Sequence, residues 1–242
     1  MRSPAGLAWI ALVGANLLPA TSGSAAEPVR IVAIGDSITQ GGRTGRDEFT
    51  YRLPLTLLLK EAEVSFDFVG SRQAGLDGSF AWPAVGGEPF DLDHEGYYGA
   101  KTVQVRENLA KAMPKWNGTP DVALIHLGTN DQDSKDPQMA VAAELAEIIR
   151  LLRERNPRMT VLVGHLNFNG GAAEKIRPLV EEMAARLSTK ESAVVTVHHY
   201  EGWVENPGTP GSDTFDWAHP NPQGQRKMAE KGFTAMQPYL RR

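Results

Sequence analysis

The chain has 242 residues, with 25 basic and 29 acidic side chains, six histidines and no cysteine. A slightly acidic balance with no basic block argues against nucleic acid as a partner. The lack of cysteine excludes disulfides, a cysteine nucleophile and thiolate metal sites, so the fold must be held by its core.

In chain order, the first segment reads as a secretory signal peptide: Arg2, an apolar run over 7–18, then the small residues Ser24-Ala25-Ala26. The run is too short to cross a bilayer as a helix. Cleavage after Ala26 leaves 27–242, one exported domain (secreted or periplasmic) with a sizeable core and no membrane span.

Beyond residue 27, short β-branched runs alternate with helical patterns. A buried strand is expected at 29–34, a helix at 51–60 and a second strand at 64–69. A helix at 102–113 is stopped by Pro114, and a third strand covers 122–127. The longest helical pattern, 137–155, carries Ala140, Ala143, Leu145, Ile148, Ile149 and Leu152 near helical spacing. Strands at 160–163 and 193–197 enclose a helix at 172–187, and a helix at 222–239 closes the chain. Near-continuous apolar strands alternating with helices indicate a three-layer α/β/α sandwich around a five-stranded parallel sheet. In such sheets ligands bind beyond the carboxyl ends of the strands, so chemical motifs should directly follow strands. The segment 71–95 breaks the alternation; it is long, rich in glycine, and carries Phe80, Trp82 and Phe90.

Gly35-Asp36-Ser37 follows the first strand. By itself it reads as readily as an ordinary turn as a nucleophile, because turns favour these residues. A serine hydroxyl needs a base, and Asp216-Trp217-Ala218-His219 offers a histidine with a carboxylate three residues away. Gly128-Thr129-Asn130-Asp131 follows the third strand and supplies an amide donor in Asn130; Gly99, before the helix at 102–113, allows a backbone N–H close to a substrate oxygen. With the N–H of Ser37 these make three donors for an oxyanion.

The remaining histidines are weaker candidates. His126 and His165 lie at or near strand ends and read as satisfied core residues, while His198 and His199 end the fifth strand with no carboxylate at comparable spacing. His94 in the long loop is a candidate for lining the site, as are Trp82 and Trp217. Trp82 reads equally as a hydrophobic staple and as a sugar-facing ring, and Trp217 equally as a core aromatic. The acidic run from Asp131 begins like a calcium loop but has Asp136 where glycine is needed and Ala142 where glutamate is needed.

The four segments together resemble the sequence blocks of SGNH (GDSL-like) hydrolases: Gly-Asp-Ser, a lone glycine, Gly-x-Asn-Asp and Asp-x-x-His. The resemblance runs from Val29 to the last helix. It implies a flavodoxin-like sheet, Ser37, Asp216 and His219 as catalytic triad, and Ser37, Gly99 and Asn130 as oxyanion hole. Within that group, Asp93-His94-Glu95-Gly96-Tyr97-Tyr98-Gly99 is similar to a segment of the carbohydrate-esterase branch that includes acetylxylan esterases. Tyr51-Arg52, Phe68-Val69-Gly70-Ser71 and His219-Pro220-Asn221 with Gly224 are similar to it as well. Many members of that branch have Ser-Gly and then an aromatic where this chain has Tyr98-Gly99-Ala100.

The resemblance implies removal of acetyl groups from plant polysaccharide such as xylan, with acetylated oligo- or polysaccharide as the partner and no metal or organic cofactor. A lipid esterase or lysophospholipase of the same fold is the rival with the same chemistry. A non-catalytic glycan-binding module is the rival of a different class, although decay of that kind should have removed one of the five residues.

Overall fold

The computed structural model describes residues 27–240, so the expected signal peptide, 1–26, lies outside the described residues. Five parallel strands form the body of the sheet: β1 (Val29–Gly35), β2 (Phe66–Val69), β4 (Val122–His126), β5 (Thr160–Gly164) and β6 (Val194–Val197). A two-residue strand, β3 (Glu95–Gly96), pairs with the end of β1. The order across the sheet is β2-β1-β4-β5-β6, with every pairing parallel.

The helices are α1 (Ser37–Gln40), α2 (Arg52–Glu61), α3 (Thr102–Ala112), α4 (Ala143–Arg155), α5 (Gly171–Leu187) and α6 (Pro222–Leu240). Alternate side chains of a strand face opposite ways, so each strand serves two cores. Val32, Ile34, Ala123, Ile125, Val161 and Val163 pack against Leu109 of α3, Ile148 and Leu152 of α4, and Val180 of α5. Ile31, Val122, Leu124 and Leu162 pack on the other face, against Leu55 and Leu59 of α2 and Met228 of α6. Burial on both faces is why the strands read as apolar runs without alternation.

The winding creates the site. From β1 the chain moves outward through α2 to β2, then returns past β1 to β4 and continues to β6. Crossovers of one hand travelling in opposite directions land on opposite faces, which puts α2 and α3 on different sides of the sheet. The reversal opens a crevice at the carboxyl ends of β1 and β4, the topological switch point.

The expected α/β/α sandwich is the observed one, with local differences. The second strand starts at Phe66 rather than 64, because Glu63 takes a φ of +55° and the chain is still turning off α2. The helical pattern at 137–155 begins as a π-helical turn (Gln138–Ala142) before α4. β3 was not expected; two residues carry no periodicity. The 71–95 segment is pinned rather than loose: Arg72 and His94 exchange backbone hydrogen bonds, and Phe49, Phe80, Trp82 and Phe90 form one aromatic group. Among the described residues no helix is long and apolar enough to cross a membrane.

Candidate active site

Ser37 opens α1 directly after β1. Gly35 is required there by space: a Cβ would stand 2.6 Å from the carbonyl oxygen of His126 on the neighbouring strand. Asp36 caps the short helix, its carboxylate accepting from the N–H of Ile38 at 3.0 Å. This carboxyl is fully buried, and burial pushes its pKa up to about 7.

From the far end of the chain, His219 places Nε2 3.0 Å from the Oγ of Ser37. Its Nδ1 lies 2.9 and 3.0 Å from the two carboxylate oxygens of Asp216. With Nδ1–H donating to Asp216, Nε2 is the acceptor that faces the serine hydroxyl. The three-residue spacing closes because Oδ1 of Asp216 also accepts from the backbone N–H of Ala218 and of His219, at 3.0 and 2.9 Å. Partial burial alone would raise the Asp216 pKa. Those two N–H donors, the Arg46 guanidinium and the nearby His219 outweigh it and hold the carboxyl well below the usual carboxylate range.

The second carboxylate oxygen of Asp216 accepts from Nη1 of Arg46 at 2.8 Å, while Nη2 of Arg46 meets Glu48 at 2.6 Å. Arg46 carries no signal in the sequence; Tyr98, which departs from the common pattern before Gly99, stacks its ring on that of His219 with centroids 5.5 Å apart and planes 17° from parallel.

The oxyanion candidates come to the same crevice. β3 runs beside the end of β1, and the N–H of Tyr97 donates to the carbonyl of Gly35 at 2.9 Å, which carries Tyr98 to Ala100 alongside Ser37. Gly99 has a φ of +74°, in the left-handed region that disfavours any side chain. The Asn130 amide donates one N–H to the carbonyl of Ala100 at 2.9 Å, which orients the group and leaves its second N–H to serve a substrate oxygen. Asp131 is a brace instead of a ligand: it is buried and accepts from the N–H and hydroxyl of Thr102 at 2.9 and 2.8 Å, tying the turn Thr129–Asp131 to α3.

The substrate-lining candidates separate. Trp217 is 54% exposed, beside the triad, and meets Phe168 edge-on. Trp82 stacks on Phe90 over the buried guanidinium of Arg52, which lies 5.2 Å from its ring centroid; the staple of the two sequence alternatives is the packing seen. His94 is corrected to a structural residue. It is fully buried, its Nδ1 accepts from the N–H of Gly96 at 2.9 Å and its Nε2 meets the carbonyl of Ala74 at 3.2 Å, so no ring atom is left for a substrate. His198 is also corrected: a carboxylate does stand at comparable spacing, since its Nδ1 lies 3.1 Å from Glu201.

Next to Gly99 opens a polar groove of about 710 Å³, lined by Gln40, Arg72, Tyr98, Gln104, Glu107 and Asn108 among others. A larger cavity of about 910 Å³, with Pro28, Ser65, Asp121 and Tyr239 on its walls, sits at the amino ends of the strands, away from this chemistry.

Sheet and crevice together define an SGNH-type carboxylic ester hydrolase. The chain belongs to the GDSL-like Lipase/Acylhydrolase family, whose model matches residues 33–227. Comparison with curated protein sequences finds no match. Among solved structures, a carbohydrate esterase family 3 protein from Talaromyces cellulolyticus is 23% identical with a TM-score of 0.70, over 88% of this chain and 98% of that one. A Clostridium thermocellum family 3 carbohydrate esterase is 25% identical with a TM-score of 0.69, over 89% and 98%. A mutant acetyl esterase with acetate ion is 23% identical with a TM-score of 0.69, over 87% and 98%. At such identities the likeness is one of fold, and it lies on the side of the carbohydrate esterases that the sequence resembles.

Proposed function

We propose that this protein is an exported carbohydrate deacetylase that removes acetyl groups from plant polysaccharide such as xylan. The observation that carries the substrate class is the polar groove beside Gly99, where amide, guanidinium and carboxylate side chains suit hydroxyl groups better than a lipid chain. Structures similar in fold are described as carbohydrate and acetyl esterases, which supports the same choice.

Ser37 Oγ attacks the acetyl carbonyl while His219 Nε2 takes its proton. The oxyanion is held by the N–H of Ser37, the N–H of Gly99 and the free N–H of the Asn130 amide. Collapse expels the sugar hydroxyl, which receives the proton from His219, and leaves acetyl on Ser37. Water then attacks with His219 as base, releasing acetate. Asp216 keeps His219 in its tautomer and stabilises the imidazolium. No step calls for a metal or organic cofactor.

The test is acetate release from acetylated xylan, pectin, mannan and chitin fragments, beside a p-nitrophenyl ester series. Release from xylan and rates falling steeply beyond C4 are expected. Activity rising towards long acyl chains would move the protein to the lipid esterases. Retained xylan binding without labelling by a serine-directed phosphonate would make it a binding module.

A further inference from the structure

Among the described residues, one group of metal-ligating side chains comes together apart from the Ser37 crevice: His165 after β5, His198 after β6, and Glu181 on α5, the helix joining those strands. His165 Nε2 and His198 Nε2 approach the same carboxylate oxygen of Glu181, at 2.6 and 2.9 Å. The other oxygen of Glu181 accepts from the hydroxyl of Thr196 at 3.0 Å.

His198 makes the arrangement more than a hydrogen-bonded pair. Its Nε2 faces Glu181, and its Nδ1 faces Glu201 at 3.1 Å. A neutral imidazole has one N–H and satisfies only one of these acceptors. A positive charge on Nε2, whether a proton or a metal ion, satisfies both with Nδ1–H donating to Glu201; a carboxylate behind a metal-bound histidine is the usual way its ring is oriented.

We propose that His165, Glu181 and His198 bind one zinc ion, with a fourth position open to water. Two imidazole nitrogens and a carboxylate oxygen suit zinc, whereas calcium and magnesium require oxygen ligands throughout. Tetrahedral bonds of about 2.0–2.1 Å keep ligand atoms roughly 3.3 Å apart, so Glu181 must draw back from His165 by several tenths of an ångström. Its side chain is 46% exposed and His198 is 38% exposed, which gives room for that movement and a route for the ion. His165 is buried and supplies the fixed ligand. Two basic groups stand nearby: Arg177, its guanidinium 3.6 Å from the Tyr200 ring centroid, and Lys231, which donates to the carbonyls of His198 and Glu201. Glu181 and Glu201 offset their charge.

The ion takes no part in ester chemistry. It clips the ends of β5 and β6 across α5. Two residues beyond His165, the Asn167 amide donates to the carbonyl of Ala218 at 3.2 Å, so the clipped segment also abuts the loop that carries His219.

The experiment is titration of the chelator-treated full chain with zinc chloride by calorimetry, with thermal unfolding and the visible spectrum of a cobalt(II) sample alongside. One ion per chain, a higher Tm with zinc and tetrahedral cobalt bands are expected. His198→Asn and Glu181→Gln alter solvent-exposed side chains; both should keep the parent circular dichroism and bind zinc at least tenfold more weakly. Absence of binding in the parent, or an unchanged affinity in either variant, overturns the proposal.

Discussion

Arg46 and Asp216 are joined by a 2.8 Å hydrogen bond that ties the loop after α1 to the loop before α6. Arg46 shares its other terminal nitrogen with the buried Glu48 and rests on the ring of Phe215, 4.9 Å from its centroid. The guanidinium therefore fixes the carboxylate that orients His219, without reaching the reacting atoms. Arg46→Met should lower kcat on p-nitrophenyl acetate about tenfold with little change in KM, since misplacing a catalytic group by a fraction of an ångström is costly. Arg46→Lys, with charge but no fork, should recover part of the loss. Equal loss in both variants, or a change confined to KM, would remove Arg46 from this positioning role.

Asn130 holds its place by donating to Ala100, on the segment that carries Gly99. Removal of its amide takes away one of the proposed oxyanion donors and the tie that holds the Gly99 segment. Asn130→Ala should reduce kcat by about 10² to 10³, with KM nearly constant, because the contact is made to charge that exists only in the transition state. A drop in kcat of less than threefold would place the oxyanion elsewhere.

The alternation of strands and helices was legible because parallel strands buried on both faces leave continuous apolar runs, as in Val122–His126. That Ser37, Asn130 and the Asp216–His219 pair meet at one crevice was legible because each follows a strand or shares a short loop, where order along the chain already implies position. Arg46, Tyr98 and the burial of His94 were not. Each depends on where a long loop returns, and that is decided by contacts such as Arg72 with His94 and the N–H of Tyr98 with Gln40. Glu95 makes the same point: its fully buried carboxylate accepts from Ser71, Tyr97 and Trp116, a support that no spacing announces.

Trp217 stands 54% exposed beside the triad, with one edge against Phe168. An open aromatic face there is suited to a sugar ring. Trp217→Ala should raise KM for acetylated xylan several-fold, by about 1 kcal/mol of lost contact, and leave kcat/KM for p-nitrophenyl acetate within twofold. Equal effects on both substrates would mean that the ring supports the loop rather than the substrate.

His126 is buried at the end of β4, and burial lowers its pKa to about 4. The unfolded chain takes up this proton below about pH 6.5, while the folded chain does not until about pH 4. Stability present above pH 6.5 is therefore lost as the pH falls through that window, by up to roughly 3 kcal/mol. His126→Leu puts an apolar side chain of similar bulk in the same buried space and leaves nothing there to titrate. Urea unfolding at pH 7 and pH 4.5 should show a smaller acid loss in the variant; parallel losses would assign the acid sensitivity to other groups.

Asp36 works in the opposite sense. Its folded pKa is about 7 against 3.8 for a free side chain, raised chiefly by burial. The unfolded chain releases the proton above about pH 4, and the folded chain holds it until about pH 7, so stability falls as the pH rises between those values. The penalty is up to roughly 4 kcal/mol at pH 8 and close to zero at pH 4. Asn at this position keeps an oxygen to accept from Ile38, so the cap of α1 survives while the charge does not. Asp36→Asn should match the parent at pH 4 and exceed it at pH 8 in denaturant midpoint. A variant less stable than the parent at pH 8 would show that the ionised carboxylate has a partner worth more than its desolvation. In that case Asp36 would be an electrostatic element of the Ser37 turn rather than a cap that tolerates its own burial.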